Sequence, residues 1–257
     1  MTNTNNADFS WKSLYTVGGV AALMAGVLFR RNLAVEVSMF SKVFAPAAVS
    51  DWFELLQNNR LLGLTYLHVF DLVNYALVGL MFLALYTVLN RVNKSSAAIA
   101  AGCALLGIAV YFSTNTALSM LSLSEQYAAA TTDVQRSLLL SAGQSMLALN
   151  RFSSSGAHPG TGGLISLLLM ATAVMIASFV MMRSNVFTRL TAYVGIVAGA
   201  LDLAYCFAYV FFPKADGHIL ALLFIPAAGL LLMVWHTMVG WKLCQLARFE
   251  QKLKPGQ

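Results

Sequence analysis

His68 and Asp71 stand three residues apart inside an apolar run, and Tyr75 follows one helical turn later, so one helix face would present imidazole, carboxylate and phenol together. Asp202 interrupts a second apolar run and His236 a third. An ionisable group deep in hydrocarbon costs a few kcal/mol, which makes each of these a candidate for function. Imidazole beside carboxylate suits a proton relay or a cation site. His68, Asp71 and Asp202 together would be a minimal metal site. Asn74 and Asn115 lie in the same runs and would serve either a solute or the contact between helices. The structural alternative for His68 and Asp71 is a hydrogen-bonded pair near the water interface that ties two helices. His236, beside Trp235 and near Trp241, reads most simply as an interfacial side chain.

Other chemistries find little support. A metal-dependent hydrolase wants three or four ligands and an activated water, and no two histidines stand four apart. No serine sits in a nucleophile elbow or beside a credible base. The stretch from Ser153 to Gly163 is rich in glycine, but no Gly-Lys-Ser/Thr follows and no strand precedes it, so it reads as a linker and not as a phosphate cradle. Cys103, Cys206 and Cys244 are odd in number and far apart, which offers no disulfide framework or zinc knuckle. No cofactor is expected.

These side chains sit in a chain of 257 residues that is 59% hydrophobic and only 10% charged, far from a soluble composition. Six apolar stretches are long enough to cross a bilayer: about 14–29, 61–89, 97–123, 162–182, 188–212 and 218–243. Every backbone amide in hydrocarbon must be bonded internally, so the spans are helices. The expected fold is all-α, a polytopic bundle of six transmembrane helices, with residues 1–257 forming a single membrane domain. The net charge of +6 gathers at span ends, where the bilayer accounts for it, and no basic aromatic stripe suggests nucleic acid. The first apolar segment ends in Phe29-Arg30-Arg31, which does not resemble a signal-peptide cleavage site.

The connections alternate between tight turns on one face and long loops on the other. Of the sixteen Lys and Arg residues, nine fall on the face with the termini and seven opposite, which favours cytoplasmic termini. Both long loops carry a short amphipathic segment. Asp51 to Leu56 spaces charge and bulk as an interfacial helix would, and Thr132 would cap a second helix whose apolar face holds Leu138, Ala142, Met146 and Leu149. Trp11, Trp52 and Trp241 would anchor at the interface. Small residues four apart mark close helix contacts: Gly18, Ala22 and Gly26 on span one, Gly195 and Gly199 on span five. Asp202 lies about 20° from Gly195 around the helix, so its carboxylate should face protein. Cys206 and Tyr209 continue that face, and Pro226 predicts a kink in span six. With the termini inside, Asp202 falls near the midplane, His68, Asp71 and Asn115 in the outer half and Asn74 near the centre, so spans two, three and five could bring them together. His236 falls about 10 Å further in.

The runs Asp51-Trp52-Phe53, Gln57 to Leu64, Asn74 to Gly79, Gln126 to Asp133 and Tyr193-Val194-Gly195 resemble bacterial six-span membrane proteins of the domain of unknown function 4386 family. The resemblance covers nearly the whole chain and departs from the family at the serine- and glycine-rich stretch before span four. It implies a multi-pass protein of the bacterial inner membrane and brings no catalytic residue with it. The leading expectation is a non-enzymatic protein that binds or moves a small solute or proton through a polar crevice formed by Asp202, Asp71 and His68, with Asn74, Tyr75 and Asn115 nearby. The alternatives are a metal-dependent membrane enzyme and a structural subunit whose glycine rows dock a partner helix or a second copy of the chain.

Overall fold

A computed structural model describes residues 13–28, 46, 48–149, 160–212 and 217–252, with the side chains of 217–222 and 250–252 left aside. Among these residues the chain is all helical. An apolar helix α1 (Ser13–Leu28) is followed by α2 (Val49–Asn58), α3 (Arg60–Tyr66), α4 (Val69–Leu89), α5 (Lys94–Thr114), α6 (Ala117–Ala129), α7 (Asp133–Leu149), α8 (Thr161–Met182), α9 (Arg189–Phe211) and α10 (Gly217–Lys252). Five of these segments are long and apolar enough to cross a membrane, the pair α5 and α6 forming one of them, and α1 is a shorter apolar helix. The result is a polytopic membrane helical bundle.

The helix starts follow local chemistry. Asn59, Asn93 and Thr188 each accept a backbone N–H from the first turn of α3, α5 and α9, at 3.1, 3.0 and 3.2 Å, which satisfies donors the helix leaves open. Thr132 does the same for α7, taking the Gln135 N–H at 3.2 Å as its position in the sequence suggests.

The six apolar helices close a ring in which α4 touches α5, α5 touches α8, α8 touches α9 and α9 touches α10. Helix α1 completes it. Its Gly18 lies against Ala84 of α4, while Gly19 and Gly26 lie against Cys244 and Thr237 of α10. At Gly19 and Gly240 the two backbones come so close that a Cβ on either would stand about 3 Å from the other's carbonyl oxygen, the contact that small residues make possible between lipid-immersed helices. Phe82, Met81, Leu85, Val174, Ala177, Trp235 and Val239 fill the interior. Val20, Met24, Leu106, Phe179, Val197 and Leu230 look outward, as lipid-facing residues do.

Helices α2, α3, α6 and α7 form a cap on one end, with a second core of Val49, Trp52, Phe53, Leu56, Tyr66, Met120 and Leu147. Two long-range hydrogen bonds stitch it: Gln57 Nε2 donates to the Ser124 carbonyl at 3.0 Å and Thr116 Oγ1 to that of Met146 at 3.2 Å. Three expectations change here. Trp52 is buried in the cap core and does not anchor at the interface. The buried face of α7 holds Gly143 and Leu147, with Leu140 and Met146 beside them, while Leu138 and Leu149 are exposed. Gly143 decides that rotation, because Val49 and Phe53 sit where its Cβ would be. Third, the runs read as continuous second and third spans are each broken on the cap side. Trp11 and most of the serine- and glycine-rich stretch lie outside the described residues.

Candidate functional site at paired helix breaks

The two breaks lie side by side. The second apolar run stops at Leu67, turns through His68 and resumes as α4; the third stops at Thr114 and resumes as α6 after Asn115 and Thr116. Each remaining span, α4 and α5, has 21 residues, about 31 Å of helix and so one hydrocarbon thickness. By length alone, the breaks fall where a hydrocarbon core spanned by α4 and α5 would end on the capped side. His68 has φ 59°, the one non-glycine residue with positive φ among the described residues. That conformation is costly for a residue with a Cβ, and where it persists the surroundings hold it in place.

Asn115 supplies much of the hold. Its Nδ2 donates to the His68 carbonyl oxygen and to the Tyr111 hydroxyl, both at 3.4 Å, and its Oδ1 accepts the Ala117 N–H at 3.1 Å. One amide thus bonds backbone at both breaks. Asp71, in the first turn of α4 where helix dipole and carboxylate attract, has Oδ2 3.3 Å from His68 Nδ1 and accepts the Tyr111 hydroxyl at 3.2 Å. Tyr111 in turn stacks on Tyr75, the rings 4.2 Å apart and 2° from parallel. His68, Asp71, Tyr75 and Asn115 are accordingly one cluster, built where α4 meets α5 below the cap. The side chains of His68 and Asp71 are 8% and 16% exposed, so the pair lies beneath the surface and not out in solvent.

Asn74 lies one turn deeper on α4 and is 1% exposed, and among the described residues its Oδ1 has no hydrogen-bond partner. A buried acceptor left open is uncommon and calls for a donor. Asp202 is buried too, at 5% exposure, nine residues from the capped end of α9 and so about 14 Å inside. The glycine row turns it toward protein, as its angular position requires: Gly195 faces Ser178 of α8 and Trp235 of α10, and Gly199 faces Ala171 and Met175 of α8. Tyr205 and Cys206 continue the face against Leu164, Leu167, Phe224 and Ile225. The Asp71 cluster sits on α4 and α5, whereas the helix of Asp202 packs on α8 and α10. No three His, Cys, Asp or Glu residues among those described form a group able to hold a metal, so His68, Asp71 and Asp202 are not assembled as a metal triad.

His236 is corrected as well. It is 2% exposed, with Nδ1 2.6 Å from the Leu232 carbonyl and its ring edge-on to Trp235 at 5.3 Å. It belongs to the bundle interior and not to the interface. Helix α10 runs through Pro226 without interruption.

A family model described as Domain of unknown function (DUF4386) matches residues 13–240, which takes in the cap and all six apolar helices. The chain belongs to the DUF4386 family. No curated protein and no solved structure matches it.

In this DUF4386 protein the functional candidate that sequence reading missed is Tyr111. Its spacing held the clue, since it stands four residues before Asn115 and shares a helix face with it. Tyr111→Phe removes a donor from the Asp71 carboxylate and an acceptor from Asn115. A typical hydrogen bond contributes about 0.5–1.5 kcal/mol, so the variant, which loses two, is expected to lower the unfolding temperature of the detergent-solubilised protein by several degrees, measured by intrinsic fluorescence. An unchanged midpoint would show that the cluster contributes nothing to holding α4 on α5.

Proposed function

We propose that this protein is a non-enzymatic carrier that binds a proton or small solute on its capped side and passes it across the bacterial inner membrane, both termini facing the cytoplasm. The observation that carries the reading is the pair of helix breaks at His68 and Asn115, side by side at the membrane edge with a carboxylate between them. Broken helices expose backbone groups and helix ends where a polar species enters hydrocarbon, and membrane carriers place their sites at such discontinuities. Here the C-terminal ends of α3 and α5, which are electronegative, converge near Asp71. That suits a proton or a small donor-bearing or cationic solute. The open Asn74 acceptor offers the next foothold inward, and Asp202 the one after it. The orientation follows the excess of Lys and Arg on the terminal face, and the bacterial inner membrane follows the family resemblance.

The test uses the proton as probe. The full chain is reconstituted in liposomes holding a pH-sensitive dye, and a pH gradient is imposed. Asp71→Asn is expected to slow dye-reported proton entry tenfold or more relative to wild type, with His68→Gln impaired in the same direction. Flux equal to wild type in Asp71→Asn, or wild-type flux no greater than that of empty liposomes, would contradict a proton-carrying role for the cluster.

A further inference from the structure

Helix α10 has 36 residues, about 54 Å of helix, where a hydrocarbon core needs about 30 Å. Its register against α9 shows where the surplus goes. Gly195 of α9 meets Trp235, and α9 starts six residues before Gly195, at Arg189. In the antiparallel neighbour, six residues beyond Trp235 is Trp241. Trp241 therefore stands level with the start of α9, and Lys242 to Phe249 occupy the next ~12 Å, the zone of lipid headgroups.

At that level α10 carries a crevice of about 490 Å³ lined by Lys242, Gln245, Leu246, Arg248 and Phe249. Arg248 is exposed and Lys242 half-buried, and neither makes an ion pair among the described residues. Phe249 in its lining and Trp241, next to Lys242 in sequence, are large rings 66% and 63% exposed. The chain's charge favours the same ligand. The face with the termini holds nine Lys and Arg against Asp8 and Glu250, whereas the capped face holds seven against six acids outside the spans.

We propose that this crevice is a binding site for an anionic phospholipid. The Arg248 guanidinium and the Lys242 ammonium take the phosphodiester, the first as a planar fork and the second as a point charge. Gln245 meets polar headgroup oxygens, and Leu246, Phe249 and Trp241 lie against the first methylenes of the acyl chains. Two cations at a headgroup favour an anionic over a zwitterionic lipid by on the order of tenfold. The site is independent of the carrier reading, because it lies at the opposite end of the bundle from His68 and Asp71.

The test reads tryptophan quenching in the full chain reconstituted into phosphatidylcholine vesicles doped with brominated phosphatidylglycerol or, in parallel, brominated phosphatidylcholine. Wild type is expected to be quenched at severalfold lower mole fraction of the anionic lipid. That preference is expected to vanish in Lys242→Gln/Arg248→Gln and in Trp241→Phe, and to survive in the charge-keeping Lys242→Arg/Arg248→Lys, with circular dichroism equal in all four. Equal quenching of wild type by both lipids overturns the site, as does a preference that survives neutralisation or loss of Trp241. Relief of the preference by millimolar inorganic phosphate at constant ionic strength would assign the crevice to a free anion and overturn the lipid.

Discussion

Gly195→Leu is expected to break the bundle, whereas Gly102→Leu is expected to leave it intact. A Cβ on Gly195 would run into Ser178 Oγ of α8 and into the Trp235 ring of α10, with Cδ1 at 2.7 Å, so two helices would have to move at once. Trp235 has nowhere to go. It is fully buried, 6.2 Å from the Phe82 ring of α4 across the interior. Among the described residues, Ser178 Oγ and Trp235 Nε1 are both buried without hydrogen-bond partners, so close fit holds this junction. Overpacking costs about 1–3 kcal/mol when a site can yield and more when it cannot. Three helices meeting at one missing side chain is the second case, and loss of monodisperse protein or a fall of ten degrees or more in unfolding temperature is the expected result. Gly102 of α5 has no atom within 4 Å of its Cβ position, so leucine there adds surface facing lipid. Size-exclusion chromatography and thermal unfolding of the two variants side by side check the contrast. If Gly102→Leu were the more damaging, the ring of helices would be wrongly arranged.

Asp202→Asn is expected to bring proton flux in the liposome assay down to the level of empty vesicles while leaving the fold in place. Asparagine has the size of aspartate, and Gly195 and Gly199 seat α9 closely on α8 and α10. What the variant loses is the capacity to take and release a proton at about the middle of the membrane, where the structure has few alternatives. The bundle interior between α4, α8 and α10 is lined mainly by Met81, Phe82, Leu85, Val174 and Ala177, none of which carries a proton, and His236 of α10 is the other buried ionisable side chain there. Asp133→Asn, in the exposed first turn of α7, serves as the control and should not change flux. Full activity in Asp202→Asn would leave the Asp71 cluster as a structural clasp for the cap.

The spans were legible because twenty apolar residues in a row have few other uses, and their number and order stand close to the sequence reading. Asp202 was legible for a related reason. Glycines at 195 and 199 mark the face that must touch other helices, and angular position puts 202 on it. The breaks were not legible. Between Leu64 and Phe70 only Thr65 and His68 interrupt apolar residues, and no glycine announces the positive φ at His68, whose carbonyl accepts from Asn115. Tyr111 was hidden because a tyrosine in a span is ordinarily packing, and only the fold sets its hydroxyl on Asp71. In α7 the apolar pattern admits two faces, and Gly143, which has no side chain to score, selects the one that lies on Val49 and Phe53. Trp235 and His236 sit too far from either end for the interface, yet this follows only once Gly195 fixes the register of α10 against α9.

A carrier of this kind requires that polar species from the capped side reach Asp71 and then Asp202. Labelling the reconstituted full chain with a water-soluble carbodiimide over a range of pH, followed by mass spectrometry of its peptides, tests this most directly. Both carboxyls are expected to react, Asp71 faster than Asp202. An Asp202 that stays unlabelled at every pH while Asp71 reacts would contradict it.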